Sequence, residues 1–248
     1  MNAARDTIES RLGRLEFTML VSMIMALVAL AIDMMLPAFG DMRSHFDLAA
    51  DSNAMAPIVT FFLFGLAIGQ PIWGPLSDAL GRKRVLYAGL AVYIASSIGA
   101  AFAPSLEALF LFRLLGGIGA AGPRVVAHGI VRDAYEGQTM AKVMSYIMAV
   151  FIVVPVVAPT LGSLILALTT WQLIFWSIAI FGIGVGLWSM RLPGTLPRDR
   201  RLPLNAGPLM EATRAVLRNR FTMGLTFAQT AVFGFFASYL ASSQLIID

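Results

Sequence analysis

Two opposite charges stand inside long apolar segments of the sequence, and their positions suit proton chemistry. Asp33 lies in the segment ALAIDMMLPAF, and Arg113 opens the segment RLLGGIGAAG. A charged side chain at the membrane centre costs about 2.5–3.5 kcal/mol on insertion scales, so charges kept there mark functional sites. A nearby cation favours the ionised form of an acid, whereas burial favours its neutral form. The pair therefore predicts a carboxylate that loads and releases a proton.

Asp33 and Arg113 are expected at similar depths in the membrane. Asp33 lies about six residues, or roughly 9 Å, from the outer end of its apolar segment. Arg113 lies about eight residues, or roughly 12 Å, from the outer end of its own. An ion pair or a shared water-filled cavity is allowed by these depths. The alternatives are a polar group of another helix as the partner of Asp33, and a structural hydrogen bond for Arg113.

The composition of the chain is that of an integral membrane protein. Of its 248 residues, 13% are charged, whereas a soluble domain carries about 25%. The mean hydropathy is +0.78. A spanning helix needs about 20 apolar residues, and seven segments meet that length. They lie at residues 17–39, 54–76, 85–103, 105–128, 140–168, 171–191 and 220–246.

Other kinds of chemistry find little support in the sequence. The chain has no cysteine, and His45 and His128 share no local metal-ligand spacing, so we expect neither a disulfide nor a metal site. A Ser/His pair, an HExxH segment and paired acids are also missing from the sequence, which argues against an intramembrane enzyme.

The distribution of Lys and Arg predicts the orientation of the chain. Cytoplasmic loops carry an excess of these residues. With the N-terminus inside, three bases lie in the tail, three after the second span, two after the fourth and seven between the sixth and seventh, which makes 15 of the 18. The outer loops hold only Arg43. The net charge of +4 therefore reflects topology and does not indicate a nucleic-acid partner.

The sequence divides into four parts. We predict a cytoplasmic tail at 1–16, a six-span bundle at 17–191, a basic cytoplasmic linker at 192–219 and a seventh span at 220–248.

The linker contains mainly apolar residues at helical spacing. They are Leu209, Met210, Thr213, Val216 and Leu217. This pattern indicates either a short amphipathic helix on the inner membrane surface or a solvated linker helix.

Small residues recur where spans are expected to touch. Lipid gives no hydrophobic drive for helix association, so close packing in membranes relies on such residues. Gly65 and Gly69 are four apart in the second span, and Gly182 and Gly186 are four apart in the sixth. The segment 113–122 is rich in Gly and Ala. We expect a compact bundle whose helices can slide or rock.

The charged stretch GPLSDALGRK, between the second and third spans, resembles the signature motif of a known family. We expect Gly74 and Gly81 to permit tight turns and Asp78 to complement a nearby helix N-terminus. The stretch closely resembles the loop signature of the major facilitator superfamily. The matching residues are Gly74, Leu76, Ser77, Asp78, Gly81, Arg82 and Lys83. The resemblance implies a charged latch that helps to set inward against outward opening.

Further segments are similar to those of drug:proton antiporters in that family. Asp33 followed by Pro37 resembles the acid motif of the first span, and Arg113 with Gly117 resembles a fourth-span motif linked to proton relay. The fifth span carries Pro155 upstream of an APTLGS segment, which resembles the antiporter motif through Pro159 and Gly162. The segments VRDAY, TWQLIFW and TLPRDRR resemble the Bcr/CflA drug-resistance branch. Ala79 and Ser163 depart from the two motifs, at a position that commonly holds a base and at one that commonly holds glycine.

The resemblance implies an all-α membrane fold, in which a six-helix bundle of two inverted three-helix repeats is followed by a seventh helix. The family normally has twelve spans in two halves, with the substrate between the halves. This chain would supply one wall of that cavity. It would be a truncated product or a fragment, or else a half-transporter that assembles with a second copy.

The implied function is proton-coupled efflux of small amphipathic compounds across a bacterial inner membrane by alternating access. Asp33 would bind the proton and Arg113 would tune it, with the proton gradient in place of a cofactor. Several side chains could offer a surface to the substrate, or else pack in the core or face lipid. They are Met34, Met35, Phe61, Phe62 and Phe64. Gln70 could line the cavity or else hydrogen-bond a neighbouring helix. The rival functions are a non-transporting remnant or interaction protein, and a facilitator for a metabolite such as a sugar.

Overall fold

A computed structural model of the chain describes residues 2–49, 53–196, 201–202 and 206–247, and every regular element in these ranges is helical. The α-helices are α1 (Asn2–Asp33), α2 (Phe39–His45), α3 (Ala56–Leu80), α4 (Arg82–Ala101), α5 (Leu106–Ala134), α6 (Gly137–Leu168), α7 (Gln172–Trp188), α8 (Ala206–Arg218) and α9 (Arg220–Ile247). Short 3₁₀ turns lie at Leu36–Ala38, Asn53–Met55 and Ser189–Arg191. The predicted all-α class is confirmed.

Six stretches of helix in the described residues are long and apolar enough to cross a membrane. They are Ser10–His45, Ala56–Leu80, Arg82–Ala101, Leu106–Ala134, Gly137–Leu168 and Gln172–Arg191. The first stretch is longer than predicted, because α1 begins in the N-terminal tail and continues past a break at Gly13, which has a φ of 65°. The fourth stretch is also longer, because α5 continues for six residues beyond the predicted end at 128.

The chain forms two compact units, Met1–Leu202 and Pro203–Asp248. The second unit contains α8 and α9. Helix α8 covers the predicted amphipathic segment, and its Met210, Val216 and Leu217 side chains are exposed. The predicted seventh span coincides with α9. Whether α8 lies on a membrane and whether α9 crosses one stay predictions.

Helix α5 lies at the centre of the first unit, where it packs against α3, α4 and α1. Glycines permit this packing. A Cβ on Gly117 would overlap the backbone carbonyl oxygen of Phe62 in α3, and a Cβ on Gly119 would overlap the backbone of Tyr93 in α4. Trp73 of α3 donates its indole N–H to the carbonyl oxygen of Ile118 across 2.7 Å. The small residues of 113–122 therefore set how closely three helices approach.

Tyr93 connects α4 to two other helices. Its ring is fully buried, and its hydroxyl donates to the carbonyl oxygen of Leu27 in α1 across 2.9 Å. Gly182 of α7 packs against the same ring. Buried hydroxyls need such a partner, because an unsatisfied one costs about 1–3 kcal/mol.

We expect Gly117→Ala to lower the free energy of unfolding by about 1–3 kcal/mol, the usual range for overpacking. The added methyl group would meet the rigid backbone of α3 rather than a movable side chain. Gly184→Ala is the matched control, because Gly184 is also helical and a Cβ there meets nothing within 4 Å. Alanine should favour the helix there by up to about 1 kcal/mol. Thermal unfolding of the detergent-solubilised chain measures both, and equal melting temperatures would contradict this account of the α3–α5 contact.

Candidate functional site

Asp33 is the last residue of α1, and its side chain is half-buried. The chain leaves the helix here because Pro37, within the 3₁₀ turn Leu36–Ala38, lacks the N–H that would continue the hydrogen-bond ladder. Within the described residues, no hydrogen bond or ion pair involves the Asp33 carboxylate. The helix therefore breaks after Asp33, which leaves the acid at a helix end inside the first span.

Arg113 is buried in α5 and joins three helices. Its Nε donates to the carbonyl oxygen of Ile58 in α3 at 3.2 Å, and its Nη2 donates to that of Ala31 in α1 at 2.8 Å. The guanidinium also lies 4.3 Å from the ring centroid of Phe62, within the range of a cation–π contact. The carbonyl of Ala31 is two residues from Asp33, so the acid and the base meet the same turn of α1 without an ion pair.

The candidate substrate-contacting residues occupy different surroundings. Met34 and Met35 are buried, so they pack within the bundle, and Phe62 is buried beneath Arg113. Phe61 stacks on Phe110 with ring centroids 5.2 Å apart and remains partly exposed.

Two further candidates lie on the exposed side of α3, and the fifth-span motif lies in α6. Phe64 and Gln70 are exposed on α3. Pro155 and Pro159 lie inside the continuous helix α6. Gly162 is buried where α6 crosses α1, and a Cβ there would overlap the carbonyl oxygen of Met34. The motif glycine therefore places α6 directly beside the end of α1 that carries the acid.

The charged stretch between α3 and α4 forms a network centred on Arg82. Its guanidinium pairs with Asp78 at the end of α3 and donates from Nε to Oδ2 of Asp133 in α5 at 2.9 Å. Its Nη1 also donates to the hydroxyl of Ser77 at 2.8 Å. Arg82 is 5% exposed, so the pairs with Asp133 and Asp78 are shielded from solvent on the arginine side. The network ties the α3–α4 junction to α5.

The backbone around this network is held by neighbouring residues. Lys83 donates to the carbonyl oxygens of Met190 and Leu192 at 2.9 and 3.0 Å, which satisfies acceptors just past α7. Gly81 has a φ of 97°, in the region that favours glycine. Gly74 lies inside α3, so its predicted turn was wrong. Asp78 lies in the last turn of α3 and pairs with Arg82, the first residue of α4. That it complements a helix N-terminus stays a prediction.

The sequence did not predict two members of the network. Asp133 follows Arg132 in the VRDAY segment, where its charge suggested no partner. Thr195 donates its hydroxyl to Oδ2 of Asp133 at 3.3 Å. The available signal was depth, because Asp133 and Arg82 both stand at the predicted inner ends of their spans. Arg82 and Asp133 are 51 residues apart in the sequence, so no local pattern indicated that they pair.

We expect Arg82→Gln to lower the free energy of unfolding by about 3–5 kcal/mol, as when one partner of a buried ion pair is removed. The double variant Arg82→Gln/Asp133→Asn should lose less than the sum of the two single changes, because the residues are coupled. Arg191→Gln is the control, because Arg191 pairs with Glu16 at 2.7 Å but is 60% exposed, which limits its effect to about 1 kcal/mol. Unfolding in detergent is the measurement, and strict additivity would exclude the coupling.

Comparison with known proteins agrees with this geometry. A family model described as Major Facilitator Superfamily matches residues 21–247. The Bacillus subtilis protein named Uncharacterized MFS-type transporter YdgK is 34% identical over 94% of this chain and 58% of its own length. The Bicyclomycin resistance protein homolog of Haemophilus influenzae is 26% identical over 93% of this chain and 58% of its own length. Multidrug resistance protein MdtL of Escherichia coli O157:H7 is 30% identical over 81% and 51%. The chain thus spans about half the length of these relatives.

Solved structures share the fold. The human organic anion transporter MFSD10 (TETRAN) has a TM-score of 0.62 at 22% identity, over 85% of this chain and 56% of that structure. A peptide transporter, POT, has a TM-score of 0.58 at 17% identity, over 90% and 49%. The resemblance inferred from the charged stretch and the span motifs is confirmed. This chain is a multi-pass membrane protein that belongs to the major facilitator superfamily, a family of transporters rather than enzymes.

Proposed function

We propose that this chain is the N-terminal portion of a proton-coupled efflux transporter for small amphipathic compounds. The observation that carries the proposal is the Asp33 carboxylate, half-buried at a helix end inside the first span and without a hydrogen bond or ion pair to any described residue. An acid in such a place is a proton-relay candidate. The resistance names of two relatives support drug-like substrates.

The setting of Arg113 supports the same proposal. Its guanidinium is held by carbonyl oxygens of α1 and α3, so its positive charge is not cancelled by a carboxylate among the described residues. A fixed cation next to the end of α1 favours the ionised form of Asp33, and a change in water access would favour the neutral form. Rocking of one half of the transporter against the other would provide that change.

Substrate would bind between this bundle and the remainder of the transporter. The exposed apolar side chains of α3, among them Phe61 and Phe64, are available to such a surface. The Arg82 network would act as a latch at the cytoplasmic side, where it ties three helices together. We place the protein in a bacterial inner membrane with its N-terminus in the cytoplasm, since the basic residues are concentrated in the segments that this orientation puts inside.

We expect Asp33→Asn to abolish proton-driven efflux by the complete transporter while expression is retained, because the amide has the shape of the acid but carries no titratable proton. Asp41→Asn is the control, since Asp41 is exposed in α2 at the outer end of the same span. Dye uptake into inverted vesicles with an acidic lumen is the measurement, because inversion of the membrane converts cellular efflux into uptake. Undiminished efflux by Asp33→Asn would remove the proton role, and the absence of uphill transport by the parent protein would favour a facilitator.

We also expect the proposed orientation to show in labelling of single cysteines, which the cysteine-free chain makes direct. Ser44→Cys, exposed near the outer end of the first span, should react with a membrane-impermeant maleimide in intact spheroplasts. Arg84→Cys, exposed at the start of α4, should react only after permeabilisation. The reverse pattern would place the N-terminus outside.

A further inference from the structure

The first part of the linker lies on the first unit of the chain. The structure describes residues 192–196 and 201–202 of the linker, and we call these two pieces the strap. Leu192 and Thr195 of the strap are buried. The second unit begins at Pro203, directly after the strap. The strap is therefore the part of the first unit that leads into the second.

The strap contacts both of the acids that pair with Arg82. The hydroxyl of Thr195 donates to Oδ2 of Asp133 at 3.3 Å. The same oxygen accepts from Nε of Arg82 at 2.9 Å. The backbone N–H of Leu202 donates to the carbonyl oxygen of Asp78 at 3.1 Å. The two pieces of the strap are thus hydrogen-bonded to the two residues that hold Arg82.

Two basic side chains hold the strap at the turn between α3 and α4. Lys83 donates to the carbonyl oxygen of Leu192, the first residue of the strap, at 3.0 Å. The guanidinium of Arg201 lies against Gly81, where an added Cβ would come within 2.9 Å of Nη2. Glycine at position 81 therefore permits the positive φ of the turn and also leaves room for Arg201.

The charges of the Arg82 network favour a cation at this turn. Arg82 pairs with the carboxylates of Asp78 and Asp133, so these three side chains together carry one excess negative charge. The positive charge of Arg201 beside Gly81 offsets that excess. However, the Nε of Arg201 is buried without a hydrogen-bond partner among the described residues, and this lowers the gain from docking. A segment held in this way can be released while the helices beneath it stay folded.

We propose that the strap docks on the Arg82 network and stabilises it, and that a displacement of the second unit acts on the network by pulling the strap away. Without the strap, Asp133 is more open to water, and exposure to water weakens an ion pair. By linkage, a weakened network must also bind the strap less tightly. The consequence for transport rests on the proposed function, whereas the coupling between the strap and the network does not.

Spin labelling of a single cysteine tests the docking, because the chain has no cysteine of its own. Leu202→Cys keeps the backbone N–H that bonds to Asp78, and the side chain at this position is exposed, so it leaves room for a nitroxide label. Electron paramagnetic resonance of the labelled 248-residue chain in lipid nanodiscs gives the ratio of mobile to immobile label. We expect the immobile form to predominate.

Removal of a direct contact should release the strap. In the labelled Leu202→Cys chain, we expect Thr195→Val to raise the mobile-to-immobile ratio about tenfold, the effect of losing one hydrogen bond to a charged acceptor. Arg201→Gln should change the ratio in the same direction, because it removes the positive charge beside Gly81. Arg84→Gln is the matched control, a change at an exposed arginine of α4, and it should leave the ratio unchanged.

A change beneath the strap tests the coupling. Arg82→Gln should also raise the ratio, although Arg82 makes no hydrogen bond or ion pair with a described residue of the strap. Ser77→Ala removes only the hydroxyl that accepts from Nη1 of Arg82 at 2.8 Å, so it should raise the ratio less. Circular dichroism and gel filtration verify the fold of each variant. If Arg82→Gln does not fold, Ser77→Ala decides the coupling.

Three outcomes would overturn the proposal. A mobile label on the Leu202→Cys chain would mean that the strap is not docked. An unchanged ratio in Thr195→Val or in Arg201→Gln would mean that these contacts do not hold it. An unchanged ratio in the folded network variants would mean that docking is independent of Arg82. The measurement needs no proton gradient, so a failed proton role for Asp33 would not alter its result.

Discussion

The close backbone approach of α5 to α3 and α4 is the constraint on which the other features depend. In lipid the hydrophobic effect does not drive helices together as it does in soluble proteins. Van der Waals packing and interhelical hydrogen bonds must therefore hold the bundle together. Gly117 and Gly119 leave no room for a side chain. Arg113, Arg124 and Asp133 all project from this same helix. The packed position of α5 therefore fixes three charges at three depths.

These three charges are treated in different ways by the fold. Arg113 is buried, and its guanidinium donates hydrogen bonds to main-chain carbonyl oxygens. Its donors are therefore satisfied without a carboxylate. Asp133 is paired with Arg82 from a different part of the chain. Arg124 is left partly exposed. A structural charge is expected to be satisfied internally, whereas a charge that acts on a ligand must be left accessible. Arg113 thus supports the structure around Asp33.

The Arg82 network joins helices that the sequence separates widely. Arg82 begins α4 and meets Asp133 at the end of α5, while Lys83 reaches the carbonyls that follow α7. Adjacent side chains of one short stretch therefore hold two different helices. Movement of α4 relative to α5 would break a shielded ion pair, so the network gives the bundle a preferred arrangement at this side. A latch needs that property, because it must oppose motion until a competing contact replaces it.

The sequence by itself determined the membrane class, the number and approximate limits of the first six spans, the break after Asp33 and the glycine-rich character of the fourth span. Each of these depends on local properties, namely the length of an apolar run, the missing N–H of Pro37 and the absence of a Cβ. Tertiary structure alone decided which charges meet. Asp33 and Arg113 share a depth, yet the guanidinium bonds to the carbonyl of Ala31 instead of the carboxylate. Arg82 pairs with Asp133, which lies 51 residues away in the sequence. Equal depth allows many pairs, and the rotation of each helix about its axis selects among them. That rotation is set by glycine contacts distributed over several helices, which no single segment of sequence contains.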